Sequence, residues 1–310
     1  MAAPAMLPVA LSSGNLRMHD ILISVWLGIV EGLTEFLPVS STAHLRIAEA
    51  LLQLNMADPY WKMYTIVIQL GAILALCLLF MGRIMEFIRT FPRGENGNKN
   101  FVTHPISLTL LAFVFTSGPS LLLKKVISKN LESLQLMALA LLIGGVVMWI
   151  IDAWSVRHEG RVTDVEEMNM FQAVFVGLCQ TCSAVFPGTS RSMSTIASGQ
   201  LVGLNRPTAL EFSFLLSIPT MIAATGYDLF KEVLRPEHSN AAEAVTPLVM
   251  NSERWVVLAI GLVVSFLVAL VVVEWFLQWV RKHGLVIFAA YRIVLAIVLL
   301  TLGKKLLGLS

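Results

Sequence analysis

Between Gly28 and His44 the chain reads GIVEGLTEFLPVSSTAH, which gathers Glu31, Glu35, Ser40, Ser41, Thr42 and His44 into one short stretch of otherwise apolar sequence. Ionisable side chains in apolar surroundings cost at least about 2 kcal/mol each to insert and therefore mark a water-filled or protein-lined site. Glu31 and Glu35 are four apart and share one face of a helix. Pro38 disfavours continued helix at Leu37, and Ser40, Ser41 and Thr42 suit the N-cap of a new helix beginning near His44. The expected form is helix, break, helix, with the polar groups at the break. A helix restarting there presents unpaired backbone N–H groups and the positive end of its dipole, a natural seat for phosphate or carboxylate.

A second stretch, GLCQTCSAVFPGTSRS from Gly177 to Ser192, aligns with the first without a gap. Gly28 and Gly177, Pro38 and Pro187, and Ser41 and Ser190 are all separated by the same 149 positions. The copies differ where chemistry is concerned: Glu31 and Glu35 become Gln180 and Ala184, while Thr42 becomes Arg191. One copy keeps acids and an imidazole, and the other supplies a guanidinium. Arg191, with the backbone amides around Thr189, Ser190 and Ser192, is the expected anion clamp. Pairing of Arg191 with Glu31 or Glu35 is the structural alternative, and the two roles can coexist. Gln69 lies within an apolar span and either lines the cavity or bridges helices. Arg292, in the last span, keeps its charge and requires an acidic or phosphate partner, which assigns it to the site. Cys179 and Cys182 form C-x-x-C with no second pair, and packing is the better account of them.

The elements that must position these groups follow from composition. Of 310 residues, 56% are hydrophobic and only 14% charged, against roughly a quarter charged in soluble domains, so the chain reads as an all-α integral membrane protein. A net charge of +2 gives no case for nucleic acid. Residues 1–19 read as an N-terminal tail. Apolar spans are expected near 62–81, 106–123 and 136–154, and again near 209–229, 255–276 and 285–303, each close to the roughly twenty residues a bilayer core requires. Residues 20–155 form a first repeat, 156–170 a polar connection, and 171–310 a second repeat of the same membrane domain. Each half then holds one re-entrant broken helix pair plus three transmembrane helices, and an odd number of crossings inverts the second copy. Inverted-topology repeats bring discontinuous helices face to face near the membrane interior. Ser41 and His44 are thus expected close to Ser190 and Arg191.

The motif EGLTEFLPVSST at Glu31–Thr42 with His44, and PGTSRS at Pro187–Ser192, resemble the two signature stretches of the bacterial undecaprenyl-diphosphatase family of the bacitracin-resistance type. The resemblance extends to Ile68–Gly71, Glu211–Leu216 and Tyr291–Arg292. It implies a multi-pass enzyme of the bacterial plasma (inner) membrane that hydrolyses undecaprenyl diphosphate to the monophosphate and phosphate, recycling the cell-wall lipid carrier, with its active site on the outer side. It further implies that Glu31, Glu35, Ser41, His44 and Arg191 carry the reaction and that a divalent cation assists. On that reading Glu31 and Glu35 hold Mg²⁺ or Ca²⁺, while Ser40, Thr42, Thr189, Ser190, Ser192, Gln69 and Arg292 contact the phosphates. Ser41 attacks with His44 as base, or His44 activates water directly. The family commonly has Gly where this chain has Ala43 and Met193, and the bulkier Met193 would narrow the approach to the second loop. The expected partners are a polyprenyl diphosphate lipid, the bilayer and a second copy in a homodimer. The rival reading is a transporter or flippase of an anionic lipid, which the broken-helix architecture also suits.

Overall fold

A computed structural model describes residues 18–54, 58–130, 133–158, 160–230, 248 and 250–307. Residues 1–17 of the expected N-terminal tail and residues 55–57 of the turn after the first restarted helix lie outside the described residues. The described chain is helical, in the order α1 Met18–Thr34, α2 Ser41–Leu51, α3 Pro59–Leu79, α4 Met81–Thr90, α5 Pro105–Leu122, α6 Lys124–Asn130 and α7 Leu134–Arg157, then α8 Met170–Val185, α9 Arg191–Leu201, α10 Arg206–Leu229, α11 Ser252–His283 and α12 Val286–Leu307. Among the described residues six helices, α3, α5, α7, α10, α11 and the Val286–Gly303 part of α12, are long and apolar enough to cross a membrane. Each coincides with an expected span, which identifies a multi-pass membrane protein.

The crossings alternate, and polar contacts at their ends define two faces of the bundle. At the first face Arg83 bonds Asp164 at 2.7 Å and Glu211 at 2.9 Å, so the start of α4, directly after α3, the α7–α8 connection and the start of α10 are held together. There too Asp152 accepts from Arg206 Nε at 2.7 Å and from the Leu285 amide at 3.0 Å. In the exposed α7–α8 connection, the Thr163 amide and hydroxyl and the Asp164 amide hold the Glu167 carboxyl below its ordinary range. At the second face Arg254 pairs with Asp58 at 2.8 Å, and Tyr60 donates to the Arg254 carbonyl, joining the starts of α11 and α3.

The remaining long elements are two helix pairs. α1 runs alongside α11 from the second face: Ser24 Oγ donates to Val257 O at 2.6 Å. Gly28 and Gly32 permit this approach, since a Cβ there would lie 2.7 Å from Gly261 O and 2.6 Å from Ser265 O. Small residues four apart let helix backbones pack this closely. α2 returns toward the same face, where α3 begins. α8 and α9 instead close at the first face, with Gln172 Nε2 donating to Val202 O and the Asn205 amide to Val162 O. At about 1.5 Å per residue, the eleven-residue helices α2 and α9 are too short to cross. Their tips meet inside the bundle, which is where the polar residues of both motifs lie.

Candidate active site

Both helix pairs turn through a serine in the left-handed region: Ser40 has φ 74° and Ser190 φ 71°. Such backbone costs about 1–3 kcal/mol per non-glycine residue and persists only where its surroundings over-determine it. Here they do. Ser40 and Ser190 cap α2 and α9 by accepting from the Ala43 and Met193 amides. Ser190 also bonds the Ser192 hydroxyl at 3.0 Å, and Ser192 donates across to the Leu37 carbonyl at 3.0 Å, tying one break to the other.

Arg292 is the larger fastener. Fully buried, its guanidinium donates to Pro38 O at 3.1 Å on the first break, to Gly188 O and Thr189 O at 3.0 and 2.9 Å on the second, and to Ala140 O on α7. Gly144 leaves room for it, because a Cβ there would fall 2.4 Å from Nη2. The partners expected for Arg292 were an acid or a phosphate; it has four carbonyls, three of which, those of Pro38, Gly188 and Thr189, the breaks leave without helical partners. It sits behind the site rather than in it.

Ser41 and Arg191 converge on Glu35. Ser41 Oγ donates to Glu35 Oε2 at 2.5 Å, and Arg191 Nη2 donates to Glu35 Oε1 at 3.2 Å. Arg191 also reaches the Ser217 carbonyl at 3.4 Å, and its guanidinium lies 5.7 Å from the centre of the Phe36 ring. Ser41 and Arg191, 150 positions apart, therefore share one carboxylate, as the alignment of the two motifs anticipates. Glu31, one turn back along α1, is fully buried, and neither carboxylate oxygen has a hydrogen-bond partner among the described residues. Glu31 and Glu35 are carboxylates of the kind that a hard divalent cation takes as ligands, and among the described residues no third His, Cys, Asp or Glu joins them.

His44 is placed differently from the expectation of a Ser41–His44 pair. Its Nδ1 lies 2.7 Å from Ser40 O and so carries the hydrogen, while Nε2 accepts from the Tyr291 hydroxyl at 2.6 Å. Both ring nitrogens are engaged away from Ser41. The cause is helical phase: Ser41, Leu45 and Glu49 of α2 line a cavity, and His44 stands on the side facing α12.

That cavity, about 1190 Å³, has Ser41, Thr42 and Arg191 at its inner end together with Gln69, which thus lines it. Thr116, Ser117 and Ser120 of α5 and Thr220 of α10 continue the wall toward Lys62, Lys124 and Tyr227 at the second face. Gln180 Nε2 bonds Thr116 at 3.3 Å and Thr220 at 3.1 Å, joining α8 to both walls. Ser40, Ser190 and Ser192 are buried in the breaks, and Thr189 donates to Phe186 O at 2.7 Å. These four shape the loops and do not line the cavity. Met193 does not obstruct the site either: it is buried, with its methyl group against Gly144. Sequence reasoning missed Tyr291 as the partner of His44 and the hydroxyls of α5. Ser117 and Ser120 recur at helical spacing within an apolar span, with Lys124 a further turn on just past its end, a signal that would have found the polar wall.

Similarity to known proteins runs nearly the whole length of the bundle. The family described as bacitracin resistance protein BacA matches residues 24–298. An undecaprenyl-diphosphatase of Koribacter versatilis (strain Ellin345) is 55% identical over 288 residues, 93% of this chain and 100% of that relative. Those of Aquifex aeolicus (strain VF5) and Persephonella marina (strain DSM 14350 / EX-H1) are 38% and 37% identical, covering 89% and 90% of this chain and 95% and 98% of theirs.

Proposed function

The chain belongs to the bacitracin resistance protein BacA family, and from that premise we propose how its site performs the hydrolysis of undecaprenyl diphosphate to undecaprenyl phosphate and inorganic phosphate. The observation that carries the proposal is the bridge formed by Glu35 between Ser41 and Arg191. The diphosphate head enters the cavity while the isoprenoid chain stays in lipid. Ser41 Oγ attacks the terminal phosphorus as Glu35 Oε2 takes its proton, the bridging P–O bond breaks, and the proton passes to the departing undecaprenyl phosphate. In the second half Glu35 takes a proton from water, the water oxygen bonds to phosphorus, and the Ser41 Oγ–P bond breaks as Oγ recovers a proton from Glu35. Arg191 and the amides at the start of α9 stabilise the charge that develops on the phosphoryl oxygens, the largest contribution in phosphoryl transfer.

Glu31 and Glu35 would hold a divalent cation, Mg²⁺ or Ca²⁺, whose chemistry when bound is to neutralise phosphate oxygens. His44 acts in this scheme as a positioning residue, holding the Ser40 carbonyl at the first break. That differs from the Ser–His pair expected from sequence, and the Ser41–Glu35 bond favours it. A transport role would leave that bond without a purpose.

The two helix pairs, closing at opposite faces with touching tips, support an inverted-topology repeat of two re-entrant halves. Arg83, Arg89, Arg93, Lys99, Arg157, Arg206, Arg281 and Lys282 cluster at or near the first face, and cationic loops stay cytoplasmic. The cavity then opens on the outer side of the plasma membrane, where the lipid product is collected for reuse. Phosphate release from undecaprenyl diphosphate in detergent tests the scheme. Ser41→Ala and Glu35→Gln are each expected to lower kcat by at least about a thousandfold, the scale on which a nucleophile or its base contributes. Wild-type turnover in Ser41→Ala would leave direct attack by water.

A further inference from the structure

The connection between α5 and α7 is short and basic, with Lys124, Lys125 and Lys129 in α6. In the orientation proposed above it lies outside the cell, against the tendency that keeps lysines cytoplasmic. Its location suggests why. Leu121, Lys124, Ile127 and Ser128 line the mouth of the cavity. Lys124 Nζ donates to the Tyr227 hydroxyl of α10 at 2.6 Å. Asn130 Nδ2 donates to the carbonyl of Val185, the last residue of α8, at 2.8 Å, which moors α6 beside the second break. Lys125 and Lys129 are exposed next to this mouth. Immediately before them Leu121 and Leu122 are 66% and 87% exposed, an apolar pair at the end of a membrane-spanning helix.

Leucines that close a helix long and apolar enough to cross a membrane, followed at once by a segment with three lysines, match a lipid with a long apolar chain and a multiply charged anionic head. A phospholipid monoanion at the surface satisfies the same lysines less well than a diphosphate does, and the cavity lined by α6 leads inward to Arg191 and Ser41. We propose that α6, through Lys125 and Lys129 beside Lys124, is a capture site that gathers the diphosphate head of the polyprenyl substrate at the outer membrane surface before it descends to the catalytic groups. The proposal rests on the diphosphatase reading and on the outward-opening cavity.

The test is the Lys125→Gln/Lys129→Gln double variant of the full chain, reconstituted in phosphatidylcholine vesicles and assayed for phosphate release at varied surface fractions of undecaprenyl diphosphate. The thermal midpoint establishes that the variant is folded. Because a basic residue near an anionic head group contributes about fivefold, the surface KM is expected to rise roughly five- to twentyfold while kcat stays within about twofold. High salt should raise the wild-type KM toward that of the variant, since exposed charges are screened. An unchanged KM, or a loss confined to kcat, overturns the proposal. So does full suppression of the wild-type advantage by phosphatidylglycerol at modest mole fraction, which would mean that α6 holds anionic lipid in general. Absence of phosphate release by the wild-type protein is a separate result and counts against the diphosphatase reading itself.

Discussion

Glu35 accepts from Ser41 through one oxygen and from Arg191 through the other, so a single carboxylate holds both side chains; on the proposed mechanism it readies the nucleophile and keeps the anion clamp within reach of it. Both of its oxygens are thereby engaged, whereas neither oxygen of Glu31 has a hydrogen-bond partner among the described residues. The division has a consequence for His44. With Nδ1 on Ser40 O and Nε2 on Tyr291, His44→Ala removes support for the break and no proton acceptor. Its kcat is expected to fall by less than about the hundredfold that a general base supplies at minimum, far short of the loss in Ser41→Ala. Phosphate release by the two variants side by side checks this, and equal losses would restore His44 as the base. The identities of Ser41, Glu35 and Arg191 were legible in the sequence because polar side chains in an apolar span require a reason. Pairing of Arg191 with Glu35 stood among the alternatives that residue type allows, but the Ser41–Glu35 bond was not legible, because a contact between α2 and the residue that follows α1 depends on the rotation of each helix about its axis.

The two breaks are strained elements held by a buried cation. Ser40 and Ser190 occupy left-handed backbone, and the carbonyls freed at Pro38, Gly188 and Thr189 would be unpaired inside the bundle but for Arg292. Each unsatisfied buried polar group costs about 1–3 kcal/mol. Arg292→Leu leaves at least three such carbonyls, and an unfolding free energy lower by roughly 3–5 kcal/mol is expected, the range for losing one member of a buried charged contact. Thermal unfolding in detergent measures it, with Arg292→Lys recovering only part of the loss because an ammonium lacks the planar fork of donors. A melting temperature unchanged in Arg292→Leu would remove Arg292 from this role. The sequence announced the breaks through Pro38, Pro187 and the hydroxyls after them. It could not announce the fastener, since Arg292 lies more than a hundred positions from Gly188 and reads, by type alone, as a phosphate ligand.

For the whole molecule the decisive feature is the separation of two faces, one closed by Arg83, Asp164, Asp152 and Arg206 and the other opened by a cavity between α2, α3, α5 and α10. The proposed orientation predicts that, in a cysteine-free background, Lys129→Cys reacts with a membrane-impermeant maleimide from the outer side of sealed cells while Lys99→Cys does not. The opposite labelling pattern would turn the cavity toward the cytoplasm. The amino-acid sequence by itself determined the all-helical membrane class, the six crossings, the two paired motifs and the residue types available for chemistry, because hydropathy over some twenty residues and local breakers such as Pro38 are local properties. Only the tertiary structure decided that Glu35 and not His44 accepts from Ser41, that Arg292 and the serines of the breaks hold the scaffold, and that α6 borders the mouth. Those are choices among partners equally plausible by type, and they are made by helix phase and packing, which no single segment contains.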